Sequence, residues 1–402
     1  MSAPLDGVRV LDLSRLLPGP ACTLHLADLG ADVVKVEDTG AGDYARSLGL
    51  PPAGDRAEPD APSAFFRMVN RNKRSLALDL KAAPGRDAFL RLARRADVIV
   101  ESFRPGVVDR LGVGYAAVAA INRRIVYCSI SGYGQTGPYR DRPGHDINYL
   151  GYAGVLDQTG VAGGPPALSN LQVADLLGGA MNASTAILAA LFGASRTGNG
   201  TYIDIAMTEG ALAHNIFALH AIETLGHSRA RGSDLLTGGV PCYGVYATQD
   251  GRHLAVGALE EKFWRPLCEA LGRPDLIARQ LATEAAGEAV RQQLAAIFAQ
   301  QTQAHWIERF AGLDCCVTPV LTLDETLADS QVRARDMIVT APDGTLQYAP
   351  PFRLLGHTFA IARVAPAQGE HSAEILREAG FSSEEIGGLA TSGTITGPHR
   401  AD

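Results

Sequence analysis

The order of apolar runs along this chain predicts an α/β fold built on a parallel, doubly wound sheet, with a smaller α+β domain after it. Three observations carry that expectation. Strand-like and helix-like segments alternate through the first half in units of about 30 residues, the rhythm of right-handed strand–helix–strand crossovers. At 402 residues the chain is too long for one ordinary core. Composition then shifts at Gly226–Gly239, after which a hairpin and amphipathic helices replace the crossover rhythm.

Taken in order, Val8–Leu13 is a short apolar strand, followed by the turn Leu17-Pro18-Gly19-Pro20 and a helix near Ala21–Gly30. Ala31–Glu37 is the next strand, and a Gly-, Pro- and Asp-rich loop runs from about 38 to 63, long enough to suggest function. Strands at Ser75–Leu80, Asp97–Glu101, Arg124–Ser131 and Tyr202–Ile205 alternate with helices at Arg86–Ala96, Tyr115–Arg124, Leu176–Ala194 and Thr208–Thr224. Tyr243–Thr248 and His253–Gly257 pair around Asp250-Gly251, and helices fill 261–312. Domain bounds of 1–229, 230–325 and a returning segment 326–402 follow; the last holds a strand from Leu346, a short helix near Glu384–Ile386 and a polar tail.

Composition narrows the function. Hydrophobic residues make up 46% and charged residues 20%, as in soluble globular proteins. The one long uncharged stretch, 176–195, is Ala- and Gly-rich and reads as a buried helix rather than a membrane span. No secretory signal opens the sequence and no peroxisomal tripeptide ends it, so a cytoplasmic location is expected. Six cysteines lack C-x-x-C or zinc spacing, and no H-E-x-x-H occurs; reduced thiols and no metal are expected. Net charge is −7, yet thirteen Lys/Arg face five Asp/Glu between Arg67 and Arg124. A local basic surface on an acidic protein points to an anionic small molecule and away from nucleic acid. The basic turns 71–74 and 102–110 are expected near one another, beyond the strand ends.

Gly132-Tyr-Gly134-Gln-Thr-Gly137 matches a dinucleotide fingerprint and follows a strand. Pro138 and Pro143 interrupt the helix that would carry a pyrophosphate, and no acidic residue ends a strand about 20 residues on. Nicotinamide binding is rejected.

The informative stretch is 143–181. His145 follows a Pro-Gly turn, and Asp175 opens the small-residue helix in which Gly178 and Gly179 permit close approach. A His and an Asp at loop-to-helix junctions suit two-base proton transfer, although singly each is more often a turn histidine and an N-cap.

Five segments carry a resemblance over nearly the whole chain: Leu5–Leu13, Gly30–Glu37, Asn72–Lys81, Ala96–Gly106 and Ser131–Pro138. Together they resemble the class III CoA-transferase (CaiB/BaiF) family. That resemblance implies an interlocked homodimer with a Rossmann-like large domain closed by the C-terminus and a smaller domain between. It implies no cofactor, coenzyme A being part of the substrate. In the transferases of the family the aspartate matching Asp175 is a nucleophile. In its α-methylacyl-CoA racemases that aspartate works with a histidine, which His145 matches. Leu16–Pro20 is also racemase-like where several transferases carry glutamine, and the glycine-run loop of some transferases has no clear counterpart near 236–246.

The implied activity is inversion at the α-carbon of 2-methylacyl-CoA thioesters, with His145 and Asp175 exchanging base and acid roles across an enolate. The alternatives are a transferase moving CoA between carboxylic acids through Asp175, and a silent CoA-binding protein. Glu260 and Asp146 match residues supporting the histidine. For coenzyme A the resemblance implies Leu78, Asp79, Leu80, Lys81, Ser102, Phe103, Arg104, Arg110, Gly144, Ile147, Asn148 and Tyr149. One departure is Asp38, where an arginine that commonly contacts coenzyme A stands; either Arg46 compensates or affinity is weaker.

Overall fold

Six parallel strands organise the computed structural model, which describes residues 3–49 and 62–397. They are β1 (Arg9–Asp12), β2 (Asp32–Glu37), β3 (Lys73–Leu78), β4 (Val98–Glu101), β5 (Val126–Ser131) and β6 (Thr201–Ala206), in the spatial order β3-β2-β1-β4-β5-β6. All residues of β3, β4 and β5 are buried, so helices must cover both faces. Ile395–Thr396 pairs antiparallel with Leu78 and Ala77, adding a two-residue strand that shields the β3 edge. Between β1 and β4 the strand order reverses; there the carboxyl ends open a crevice.

The chain divides into two compact units. The first comprises Met1–Ala153, Leu171–His214 and Arg333–Asp402; the second comprises Gly154–Asn170 and Asn215–Val332. Expected bounds of 230 and 325 thus fall at 215 and 332, and the 154–170 loop joins the second unit. Arg231 explains the loop: its Nε donates to the Asp157 carbonyl at 2.6 Å and its guanidinium also reaches the Gly164 carbonyl. The expected helix 208–224 is two, Met207–Ala213 and Ile216–Leu225, broken where the units part. In the second unit a third strand, Val317–Pro319, joins Tyr243–Ala247 and His253–Gly257. Trp264, Leu267, Val290, Leu294 and Phe298 build its core.

A buried ionic network lies under the turn that follows β1. Lys73 Nζ sits 3.2 Å from Asp12 Oδ2 and donates to the Pro20 carbonyl and Asn70 Oδ1 at 2.9 Å. Lys35 Nζ lies 2.8 Å from Asp43 Oδ2 and donates to the Ser14 carbonyl. All four side chains are fully buried. Burial alone would raise the Asp12 carboxyl, but Lys73, Lys35 and the Ser14 and Thr23 hydroxyls outweigh it and hold it at about 2. Asp43 Oδ1 accepts the N–H of Leu16, which stands at φ +62°, a left-handed conformation costly for leucine. The network therefore fixes a strained turn at the crevice. Lys35→Met should cost about 3–5 kcal/mol in denaturant unfolding, because it strands the buried Asp43 carboxylate without a cation.

Candidate active site

His145 precedes the helix Asp146–Tyr152 in extended conformation, its N–H donating to Asn148 Oδ1 at 3.0 Å. The turn before it is pinned by Tyr149, whose hydroxyl donates to the Gly144 carbonyl at 2.5 Å. Tyr149 itself is buried and packs edge-on against Tyr133, ring centroids 5.2 Å apart. Gly132 is required here, since a Cβ on it would meet Tyr149 Cε1 at 2.2 Å. The His145 side chain is thus exposed on a backbone that is held from behind. The stretch 132–145 contains no helix.

Asp175 lies in a π-helical segment, Ala174–Met181, that continues as the α-helix Asn182–Thr197. The sequence pattern predicts ordinary α-helix here; the wider coil is a departure of the kind found at functional sites. Close tertiary packing accompanies it. Gly178 meets Gly210 of the Met207–Ala213 helix so closely that a Cβ on Gly178 would lie 2.6 Å from the Met207 carbonyl oxygen. A Cβ on Gly179 would lie 3.0 Å from Pro18 Cβ. The 24-residue stretch Ala174–Thr197 is apolar and long enough to span a membrane by length and composition. Where a buried helix is expected, about a third of its most apolar window is buried, with Met181, Leu188 and Phe192 exposed.

The two halves of the stretch meet through Asp146. Its Oδ1 accepts the Asp175 N–H at 3.0 Å. The side chain expected to support His145 therefore anchors the backbone of Asp175. Burial first, and the Asp146 carboxylate second, push the Asp175 carboxyl from 3.8 up to about 7. Such a group is poised to give or take a proton near neutrality. Burial and the Asp175 charge in turn raise the Tyr149 phenol, and Arg104 opposes them, so both groups lie within electrostatic reach of Tyr149.

The residues implied for coenzyme A spread along the carboxyl ends of β3, β4 and β5. Leu78 is buried at the end of β3; Asp79 and Leu80 follow half-buried, and Lys81 is exposed with its N–H on Asp79 Oδ1 at 2.9 Å. After β4, Ser102 Oγ accepts the Arg15 N–H at 3.1 Å, and the Phe103 N–H donates to Glu101 at 2.8 Å. Arg104 and Arg110 are exposed, as are Ile147 and Asn148. Glu260 stands in the second unit as the exposed residue before the helix Glu261–Ala270.

Two expectations are corrected. Arg46 donates to both Glu37 carboxylate oxygens at 2.8 and 2.6 Å, to the Pro366 carbonyl, and stacks on Phe66 at 3.9 Å. It is committed to the fold and does not compensate for Asp38. The turn 71–74 leads into the amino end of β3, opposite the crevice, and its cations are consumed by Asp28, Asp12 and Asp32. Two crevice residues escaped sequence reading, Arg15 and Tyr133; only the position of Arg15 just past β1 hinted at it. Part of the 38–63 loop, residues 50–61, falls outside the described residues. Among the described residues no group of three or more His, Cys, Asp or Glu is placed to hold a metal ion.

A doubly wound sheet with exposed Arg104 and Arg110 beyond β4, and an aspartate whose carboxyl is raised towards neutrality, is suited to anionic substrates and to proton or acyl chemistry. Comparison with known proteins narrows this. Residues 5–372 match the model of CoA-transferase family III, and the chain belongs to that family. It is 38% identical over 386 residues to an alpha-methylacyl-CoA racemase of Mus musculus, covering 95% of each chain. It is 34% identical over 382 residues to an acetyl-CoA:oxalate CoA-transferase of Acetobacter aceti, covering 93% of this chain and 95% of that one. A crystal structure of a CAIB/BAIF family protein from Brucella suis superposes with a TM-score of 0.81 at 30% identity, covering 94% of this chain and all of that one. The protein is an enzyme of the class III CoA-transferase fold.

The glycine contact yields one prediction. Gly178→Ala should push the π-helical segment off Met207 and lower turnover about 10²-fold, the cost of a displacement near 1 Å at a reacting group. Steady-state kinetics beside a thermal melt would separate this from unfolding. A second concerns charge. Asp146→Asn keeps an acceptor for the Asp175 N–H but removes the like charge, so the acidic limb of the pH–rate profile should move to lower pH.

Proposed function

We propose that this enzyme inverts the α-carbon of 2-methylacyl-CoA thioesters by two-base 1,1-proton transfer, with His145 and Asp175 as the bases. The observation that carries the reading is the Asp175 carboxyl raised to about 7 by burial and Asp146. A nucleophile for acyl transfer gains nothing from being half-protonated at neutral pH. A residue that must be base in one direction and acid in the other gains most from that poise. Identity of 38% to a racemase, against 36% and 34% to two transferases, leans the same way.

Removal of the α-proton from one face places charge on the thioester oxygen, and delivery from the other face completes inversion. Each base contributes roughly 10²–10⁴-fold. Tyr149 holds the Gly144 carbonyl and so the backbone that presents His145. Arg104, exposed and within reach of the same tyrosine, is assigned to the coenzyme A moiety with Lys81 and Arg110. Glu260 is assigned to the histidine's support, as in the resemblance. The enzyme is taken to act as a homodimer in the cytoplasm without added cofactor; the exposed apolar row Met181, Leu188 and Phe192 supports the dimer.

Incubation of the protein with one epimer of a 2-methylacyl-CoA in D₂O, without acceptor acid, tests the reading by NMR. Loss of the α-proton with appearance of the other epimer is expected, and His145→Ala and Asp175→Ala should each abolish inversion. Retention of the proton while added acids become CoA thioesters would make Asp175 a nucleophile and the enzyme a transferase. In the direction where Asp175 is the base, the rate should fall below about pH 7 as the carboxyl protonates; in the direction where it is the acid, the rate should fall above it.

A further inference from the structure

Arg15 is held at the mouth of the crevice in a manner that the proton chemistry does not explain. Its N–H is bound by Ser102 Oγ at 3.1 Å, beyond β4, and the next residue is the strained Leu16 tied to Asp43. The guanidinium carbon lies 5.4 Å from the centre of the Phe103 ring. Arg15 is also among the charges acting on the Tyr44 phenol. Backbone strain, a buried ionic support and a flanking ring make this a built position, at the point where strand order reverses.

The guanidinium is not free. Its Nη2 lies 2.6 Å from Asp38 Oδ2, while Asp38 Oδ1 accepts the N–H groups of Gly40 and Gly42 at 2.9 and 3.1 Å. Gln368 Nε2 fastens the same turn through the Asp38 carbonyl at 2.7 Å. Arg15 and Asp38 are 33% and 43% exposed, so the pair opens to solvent and to an incoming ligand. Such pairs contribute little to stability. A phosphate, by contrast, offers the guanidinium a bidentate partner of higher charge.

We propose that Asp38 is a built-in competitor for a phosphate of the coenzyme A moiety, occupying Arg15 until the substrate phosphate displaces it. The proposal rests on the reading that the substrate is a CoA thioester. The carboxylate stands where the phosphate would stand, and it weakens binding twice, by occupying the cation and by repelling the anion. Asp38 thereby sets how strongly the nucleotide end is held, apart from the proton chemistry at Asp175.

Calorimetric titration of the full chain with coenzyme A, 3′-dephospho-coenzyme A and pantetheine tests this. Asp38→Asn should tighten coenzyme A about three- to tenfold, the range an exposed pair can command, and leave pantetheine unchanged. Arg15→Met should weaken coenzyme A and cancel the gain in the double variant. A gain kept with the dephospho compound would assign Arg15 to the diphosphate; a gain lost would assign it to the 3′-phosphate. Unchanged or weaker coenzyme A binding by Asp38→Asn, or an equal gain with pantetheine, would overturn the proposal. If the unaltered protein binds no coenzyme A, the substrate reading itself fails and this proposal with it.

Discussion

The hydrogen bond from the Asp175 N–H to the Asp146 carboxylate is the contact on which the site depends. It joins two segments separated by 29 residues and sets a second carboxylate beside Asp175, adding to the burial that already raises its carboxyl. A single geometry thus does two things. It positions Asp175 at the start of the π-helical segment, and it tunes the proton affinity of its side chain. Without the first effect the base would be misplaced; without the second its carboxyl would be raised by burial alone.

The scaffold is arranged around that contact. Gly178 and Gly179 let the π-helical segment press on Gly210 and Pro18, so its position is set by backbone against backbone rather than by flexible side chains. Pro18 in turn follows the turn held by Asp43, Lys35 and Lys73. The buried ions are therefore best understood as fixing the crevice. Apolar replacements of equal size could be as stable, but they would not hold Leu16 at positive φ.

Much of the large unit was legible in the sequence, because β1 to β6 are short apolar runs at crossover spacing. Boundaries moved by a few residues, as element ends usually do. What was illegible depended on distant partners. The π-helical coil packs on Gly210, a partner distant in sequence, and a small-residue run by itself reads as plain α-helix. Ile395–Thr396 is too short to show as a strand, yet it closes the sheet. The 71–74 cations look like a binding surface until Asp28, Asp12 and Asp32 are seen beside them. At the site, the pairing of His145 with Asp175 came from family resemblance; periodicity alone offered a turn histidine and an N-cap. The second role of Asp146 required coordinates.

The account stands on the protonation of one carboxyl. Difference infrared titration of the intact enzyme, with Asp175→Asn subtracted to assign the band, reads that group directly. A midpoint near 7 is the predicted result. A midpoint near 3.8 would show a carboxylate fully ionised at neutrality and would contradict the two-base assignment.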